Sequence, residues 1–201
     1  PLSARRDDPS GALRPFDADR DGMVHGEGAG AFVLEDRRHA EARGATIFAR
    51  ITGFATRYEP QLGGRDPRGA AIRHSISEVL RTTGVQPSDI DHVNADGLST
   101  PVDDRIEAQA IHDALGDVPV TAPKSFFGNL GAGTGAVEMA ASVLALCEGM
   151  VPPTLNYLRP DPDCPVRVIQ REPVRRTKPY VLVLNHARVV HAIALMMSAP
   201  E

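Results

Sequence analysis

Three stretches of this 201-residue chain gather side chains that can do chemistry. The first, RPFDADRDGMVHGEGAG at 14–30, sets Asp17, Asp19 and Asp21 at alternate positions ahead of Gly22, like the opening of a calcium loop. Such a loop closes on Glu at its twelfth position, where Gly28 stands instead, so the calcium reading fails. The second, VNADGLSTPVDDRIEAQAI at 93–111, carries Asp96, Asp104 and Glu107. The third, APKSFFGNLGAGTGAVEMAASVLAL at 122–146, sets Lys124, Asn129 and Glu138 around a glycine-rich turn at 128–135. That turn could suggest a phosphate cradle, but it lacks the Gly-Lys-Ser/Thr ending of a P-loop. It reads instead as a tight turn that allows close backbone approach. Cys147 and Cys164 form no metal-ligand spacing and no disulfide framework. Cys147, beside Val143, Leu144 and Leu146, reads as a packing thiol, and Cys164, in a Pro/Asp-rich loop, as structural.

The elements that must position these groups alternate between strand and helix. Residues 1–28 lack apolar periodicity and read as loop. Ala29–Glu35 is a short apolar run expected to be a buried strand, and Asp36–Arg43 a charged helix ended by Gly44 at the left-handed position. Thr46–Phe54 alternates, with Ile47, Ala49 and Ile51 on one face, and predicts a strand. A loop holding Pro60, Gly63, Gly64 and Pro67 comes next. Ile72, Ile76, Val79 and Leu80 then recur at helical spacing until Gly84. A strand is expected over 91–95. Thr100-Pro101-Val102-Asp103 has a hydroxyl cap, a proline and an acid in the order of a helix start. A strand at 118–122, a helix from about Ala136 to Cys147 and strands at Tyr180–Leu184 and Ala192–Met197 complete an α/β layered pattern.

Composition bounds the function. The length suits one domain, and 42% hydrophobic with 24% charged residues is ordinary for a globular protein. A formal charge of -4 without a basic run argues against a nucleic-acid surface. The apolar stretch Val189–Ala199 is too short to span a bilayer. These features suggest a reduced, cytoplasmic setting with no membrane and no cofactor. The chain opens at Pro1 in a charged loop and reads like the middle of a larger protein.

The order and spacing of the three stretches, with VPPTLNYLRPDPDC at 151–164, resemble β-ketoacyl-acyl-carrier-protein synthases over nearly all of the chain. The resemblance implies the C-terminal half of a thiolase-like αβαβα layered fold, spanning 1–201. In that family the nucleophilic Cys belongs to the N-terminal half. Two histidines stabilise the enolate left by malonyl decarboxylation and the oxyanion of condensation, supported by a Lys and a Glu. The first His opens a His-Gly-Thr-x-Thr-Pro run, which here reads Asp96-Gly97-Leu98-Ser99-Thr100-Pro101. The second follows Lys-Ser-x-x-Gly, and that position holds Asn129. Lys124 and Glu138 match the supporting pair, and Asp104 and Glu107 the acidic helix. The family's Asn-Ser-Phe-Gly-Phe-Gly-Gly gate loop has become LNHARVVH at 184–191, without its glycines.

These replacements bear on the chemistry. The reaction builds negative charge on a thioester oxygen, and losing one aimed donor typically costs about 100–1,000-fold in rate. Asn129 retains an amide donor, whereas an ionised Asp96 accepts only and opposes the developing enolate. The expected reading of both is a decayed pocket rather than a rewired catalytic pair. His186 and His191 are expected at a loop or strand edge, although either could reach in to replace a lost imidazole. The resemblance thus implies a non-catalytic subunit of fatty acid or polyketide biosynthesis, paired like a chain-length factor with an active ketosynthase, or a homodimer. Its alternatives are a working condensing enzyme and an acyl-carrier-protein-binding scaffold; acyl carrier protein is the expected partner in each. Half of such a fold should expose an apolar face and self-associate.

Overall fold

The structure, a computed structural model, describes residues 1–60 and 68–200. Most of the expected loop around Gly63, Gly64 and Pro67 lies outside the described residues. In chain order the elements are α1 (Arg37–Ala42), β1 (Arg50–Tyr58), α2 (Ala70–Thr83), β2 (Ile90–Asn94), α3 (Asp103–Leu115), β3 (Pro119–Thr121) and α4 (Lys124–Phe127). These are followed by α5 (Thr134–Glu148), β4 (Met150–Val151), β5 (Arg167–Val168), β6 (Val174–Arg175), β7 (Tyr180–Ala187) and β8 (His191–Ser198).

Six strands form one mixed sheet in the order β1-β8-β7-β2-β3-β5. Its middle is parallel, β7 with β2, β2 with β3 and β3 with β5, while β8 runs antiparallel to both β7 and β1. All five residues of β2 are buried, as expected of a central strand covered on both faces. On one face α2 and α3 pack through Ile72, Ile76, Val79 and Ile111 into the main core with Val93, Leu182 and Met196. On the other, α5 packs Leu146, Met139 and Val143 against Val181, Val183 and Met197. The result is helix, sheet, helix.

Local rules explain most boundaries. Asp36 caps α1 by accepting the N–H groups of Arg38 and His39, and Gly44, at φ +68, follows its end. Gly84 (φ +72) stops α2. The Thr100 hydroxyl accepts the Asp103 N–H at 3.1 Å, so the expected cap holds even though regular helix begins at Asp103.

Two expectations need correction. The Ala29–Glu35 run is not a strand; it has no ladder partner, and Val33 and Leu34 are 85% and 71% exposed. Apolar character alone cannot make a strand without a neighbour to pair with. The strand expected at Thr46–Phe54 instead runs Arg50–Tyr58, because its register follows β8 from Ser198 opposite Arg50 to His191 opposite Tyr58. Pairing recruits the polar tail Thr56-Arg57-Tyr58, which hydrophobic alternation missed.

Candidate functional site

The second and third stretches meet where β2 and β3 release their chains. Leaving β2, the loop at 95–100 turns through Gly97 (φ +50) and Ser99 (φ +63). It is pinned from α3. Glu107 accepts the N–H groups of Asp96 (2.8 Å) and Gly97 (2.9 Å), and Asp104 accepts those of Phe16, Ser99 and Thr100. Burial lifts the Asp104 carboxyl to about 7 against the pull of the Phe16 N–H. The acidic pair therefore acts on backbone and sets the direction of Asp96.

The first stretch buttresses this loop from behind. Arg20 donates to the carbonyls of Thr100 (3.1 Å), Pro101 (3.0 Å) and Asp17, and pairs with Asp161 at 2.5 Å. Asp17 is fully buried and accepts the N–H groups of Leu158 and Arg159. Asp19 pairs with Arg159, and Asp21 accepts from Ser3 and Ala4. All three carboxylates are thus spent on tying this loop to the chain around it.

Asp96 and Lys124 form the centre of the site. Both are buried, and the Lys124 ammonium lies 2.7 Å from Asp96 Oδ1 and 3.4 Å from Glu138 Oε1. Burial disfavours the ammonium, but Asp96 and Glu138 outweigh it and hold its pKa above the ordinary lysine value. Burial pushes the Glu138 carboxyl up, with Lys124 pulling it down and Asp96 pushing it further up. Asn185 of β7 donates to Asp96 Oδ1 (3.1 Å) and Glu138 Oε2 (3.3 Å). Asn94 of β2 donates to the Glu138 carbonyl and the Ser142 hydroxyl, fixing α5 on the sheet.

His186, expected at a loop or strand edge, is in fact inside. Its ring is 1% exposed, with Nε2 3.5 Å from Glu107 Oε2 and 3.7 Å from Asp96 Oδ2. Two demands compete at this ring. Burial disfavours the charged form, yet Asp96 and Glu107 raise its pKa to about 9. Against this, the Val189 N–H points at Nδ1, which only an unprotonated nitrogen can accept. That contact is long at 3.3 Å, and a neutral hydrogen bond nets only about 1 kcal/mol, so the carboxylates decide for the imidazolium. His191 stays at the exposed strand end, 2.9 Å from the Thr56 hydroxyl.

Asn129 belongs to a different network. Its Oδ1 accepts from the Gly131 N–H (3.1 Å) and the Thr134 hydroxyl (3.2 Å), while Nδ2 lies 3.2 Å from Met23 Sδ. Its backbone pairs with Val24 and Gly26, and this close approach requires glycine: at Gly128 (φ +82) a Cβ would sit 2.9 Å from Gly26 N. The tight-turn reading of 128–135 holds. Asp96, Lys124, Asn129, Asn185 and His186 all line one cavity of about 820 Å³, walled on its apolar side by Leu98, Val102 and Ala132. Glu138 lies behind Lys124. Asn185 has no signal of its own in the sequence beyond its place in LNHARVVH, where the resemblance puts the opening Asn of the gate motif.

The thiols fall outside this site. Cys147 is exposed, contrary to the packing expectation, because α5 turns it outward beside Leu144, with Sγ 3.5 Å from the Phe48 carbonyl. Cys164 is buried near Asp161 and Arg20, and burial pushes its thiol up to about 12. Among the described residues, no helix is long and apolar enough to cross a membrane, and no cluster of three or more metal-binding side chains occurs.

Comparison with known proteins agrees with this architecture. The family model for the C-terminal domain of β-ketoacyl synthases matches residues 48–158, and that for the N-terminal domain matches residues 3–40. A 3-oxoacyl-[acyl-carrier-protein] synthase 2 of Mycobacterium tuberculosis is 44% identical over 175 residues, covering 86% of this chain and 42% of its own. Among solved structures, the ishigamide ketosynthase/chain length factor superposes with a TM-score of 0.88 at 33% identity, over 94% of this chain and 47% of that one. A type II polyketide synthase acyl-carrier protein in complex with its ketosynthase bound to the hexaketide (AntDE:AntF) gives 0.88 at 29% identity, over 100% and 50%. The chain therefore spans about half the length of the proteins it matches.

Proposed function

The chain belongs to the β-ketoacyl synthase family, and from that premise we propose that it is the C-terminal half of a ketosynthase-like subunit that does not itself condense. It serves fatty acid or polyketide biosynthesis beside an active ketosynthase, as a chain-length factor does, with acyl carrier protein as the common partner. One observation carries this reading: the donors at the base of the cavity point at the protein's own carboxylates. The Lys124 ammonium and the Asn185 amide are held by Asp96 and Glu138, and the His186 ring faces Asp96 and Glu107. The Asn129 amide points at Met23. Decarboxylation needs donors free to meet a new enolate. The likeness to a ketosynthase/chain length factor supports the same reading.

His186 supports a second reading. Its ring lines the cavity and its Nε2 has no hydrogen-bond partner, so it could supply the donor lost at position 96. The full-length polypeptide separates the two. Assayed alone with malonyl-acyl carrier protein, it should release carbon dioxide no faster than background. Co-expressed with an active ketosynthase, it should co-purify and alter product length. Decarboxylation at the rate of an ordinary ketosynthase would establish the condensing-enzyme reading instead. Binding of carrier protein without any effect on a ketosynthase would leave the scaffold.

A further inference from the structure

Position 96 and position 186 have both departed from the family pattern, and the structure puts the two new side chains face to face. Asp96 Oδ2 has no hydrogen-bond partner, and neither has His186 Nε2, 3.7 Å away. Both of these atoms are buried. A buried carboxylate that stands where a neutral imidazole is expected needs compensating positive charge. Lys124 provides part of it through Oδ1, but Lys124 is shared with Glu138. The second carboxylate oxygen is left to the histidine.

We infer that His186 is the counter-ion of Asp96, so that the two replacements form one exchanged pair in which the imidazole has moved from the loop after β2 to the end of β7. The hairpin tip that follows belongs to the same device. Arg188 (φ 51) and Val189 (φ 55) make a tight turn closed by the Val190 N–H on the Ala187 carbonyl, with the Val189 side chain buried in the core. That turn anchors the end of β7 and aims the ring inward, whereas the family's glycine-rich run would leave it loose. His186 is here a positioning and charge-balancing residue. The inference holds whether or not the subunit condenses, because it concerns protonation and stability rather than turnover.

The charged groups facing the ring are Asp96 from the loop, Glu107 from α3, Lys124 from α4 and Glu138 from α5. The test uses the full-length polypeptide with Asp96→Asn, His186→Gln and the pair of both. Each single change should lower the melting temperature at pH 7, and the double should lose clearly less than the two losses added. A merely packed ring would give additive losses. The His186 contribution should also depend on pH. With its folded pKa raised, it is fully present below about 6.5 and lost as pH rises through about 9. The gap between wild type and His186→Gln should therefore close over that interval. Should His186→Gln alone fail to fold, recovery of folding in the double variant is the expected result. Failure of the double where Asp96→Asn folds would overturn the pairing, as would a gap independent of pH.

Discussion

Lys124 shows how much one buried cation can organise. It is 1% exposed and meets two carboxyl groups from different elements, Asp96 from the loop after β2 and Glu138 from α5. Removing one partner of a buried ion pair costs about 3–5 kcal/mol, because the remaining charge keeps its desolvation penalty without compensation. Lys124→Met in the full-length protein should lose stability of that order, measured by urea unfolding at neutral pH. A loss below about 1 kcal/mol, the range of an exposed pair, would mean that water reaches the site. At this scale the sequence was partly legible. Lys124, Glu138 and the two altered positions followed from short motifs with fixed spacing. The pairing of Asp96 with Lys124 and His186 did not, because it joins residues 28 and 90 positions apart through a sheet register that motif spacing does not encode. Of the two replacements, Asp96 joins an ordered ionic network, while Asn129 holds the glycine-rich turn.

The strand and helix pattern was legible where propensity and pairing agreed, and failed where pairing decided alone. β7 and β8 are built on continuous apolar runs, Tyr180–Leu184 and Ala192–Met197, and Gly84 ends its helix in the conformation its residue type favours. The turn between β7 and β8 carried no such signal. A β-turn with positive φ at both central positions normally announces itself as Asn-Gly or Asp-Gly, and here, in a three-residue connection, it is Arg188-Val189. The left-handed conformation costs roughly 1–2 kcal/mol per such residue. Val189 also buries its side chain, worth about 1.5–3 kcal/mol, which offsets the strain at its own position but not at exposed Arg188. Arg188→Asn should therefore stabilise by about 0.5–1 kcal/mol, since Asn tolerates that region. Val189→Gly should destabilise, because glycine adds about 0.5–1 kcal/mol of unfolded-state entropy to the lost burial. Opposite signs in thermal melts of the two variants check the balance; two stabilising changes would show that the Val189 contact contributes little.

The polarity of α5 is inside out for a surface helix, and this has consequences for the whole molecule. Over Thr134–Glu148 the residues turned inward include Thr134, Glu138 and Ser142, one turn apart and engaged with the site loop and β2, while apolar Leu144 is 61% exposed. A helix that is apolar nearly all round belongs in an interior, with a layer on both sides. The neighbouring surface continues the pattern: Phe32, Val33, Leu34, Phe48 and Ile51 line one groove with Met139 and Val143 of this helix, and Cys147 meets Phe48 at its rim. Isolated apolar residues on a surface mean little, but a contiguous patch of this kind marks a face meant to be covered. The half-sandwich was legible through the resemblance to β-ketoacyl synthases, and the nearly apolar α5 agrees with it. The inward turn of Ser142, which accepts from Asn94 of β2, carried no signal in the sequence. The 201 residues expressed alone should therefore self-associate, sedimenting as dimers or larger species at micromolar concentration. The paired substitution Phe48→Glu and Leu144→Glu should shift that distribution toward monomer by placing like charges on the patch. A monodisperse, cooperatively melting monomer of the unaltered chain would show instead that the exposed face of α5 is tolerated by solvent.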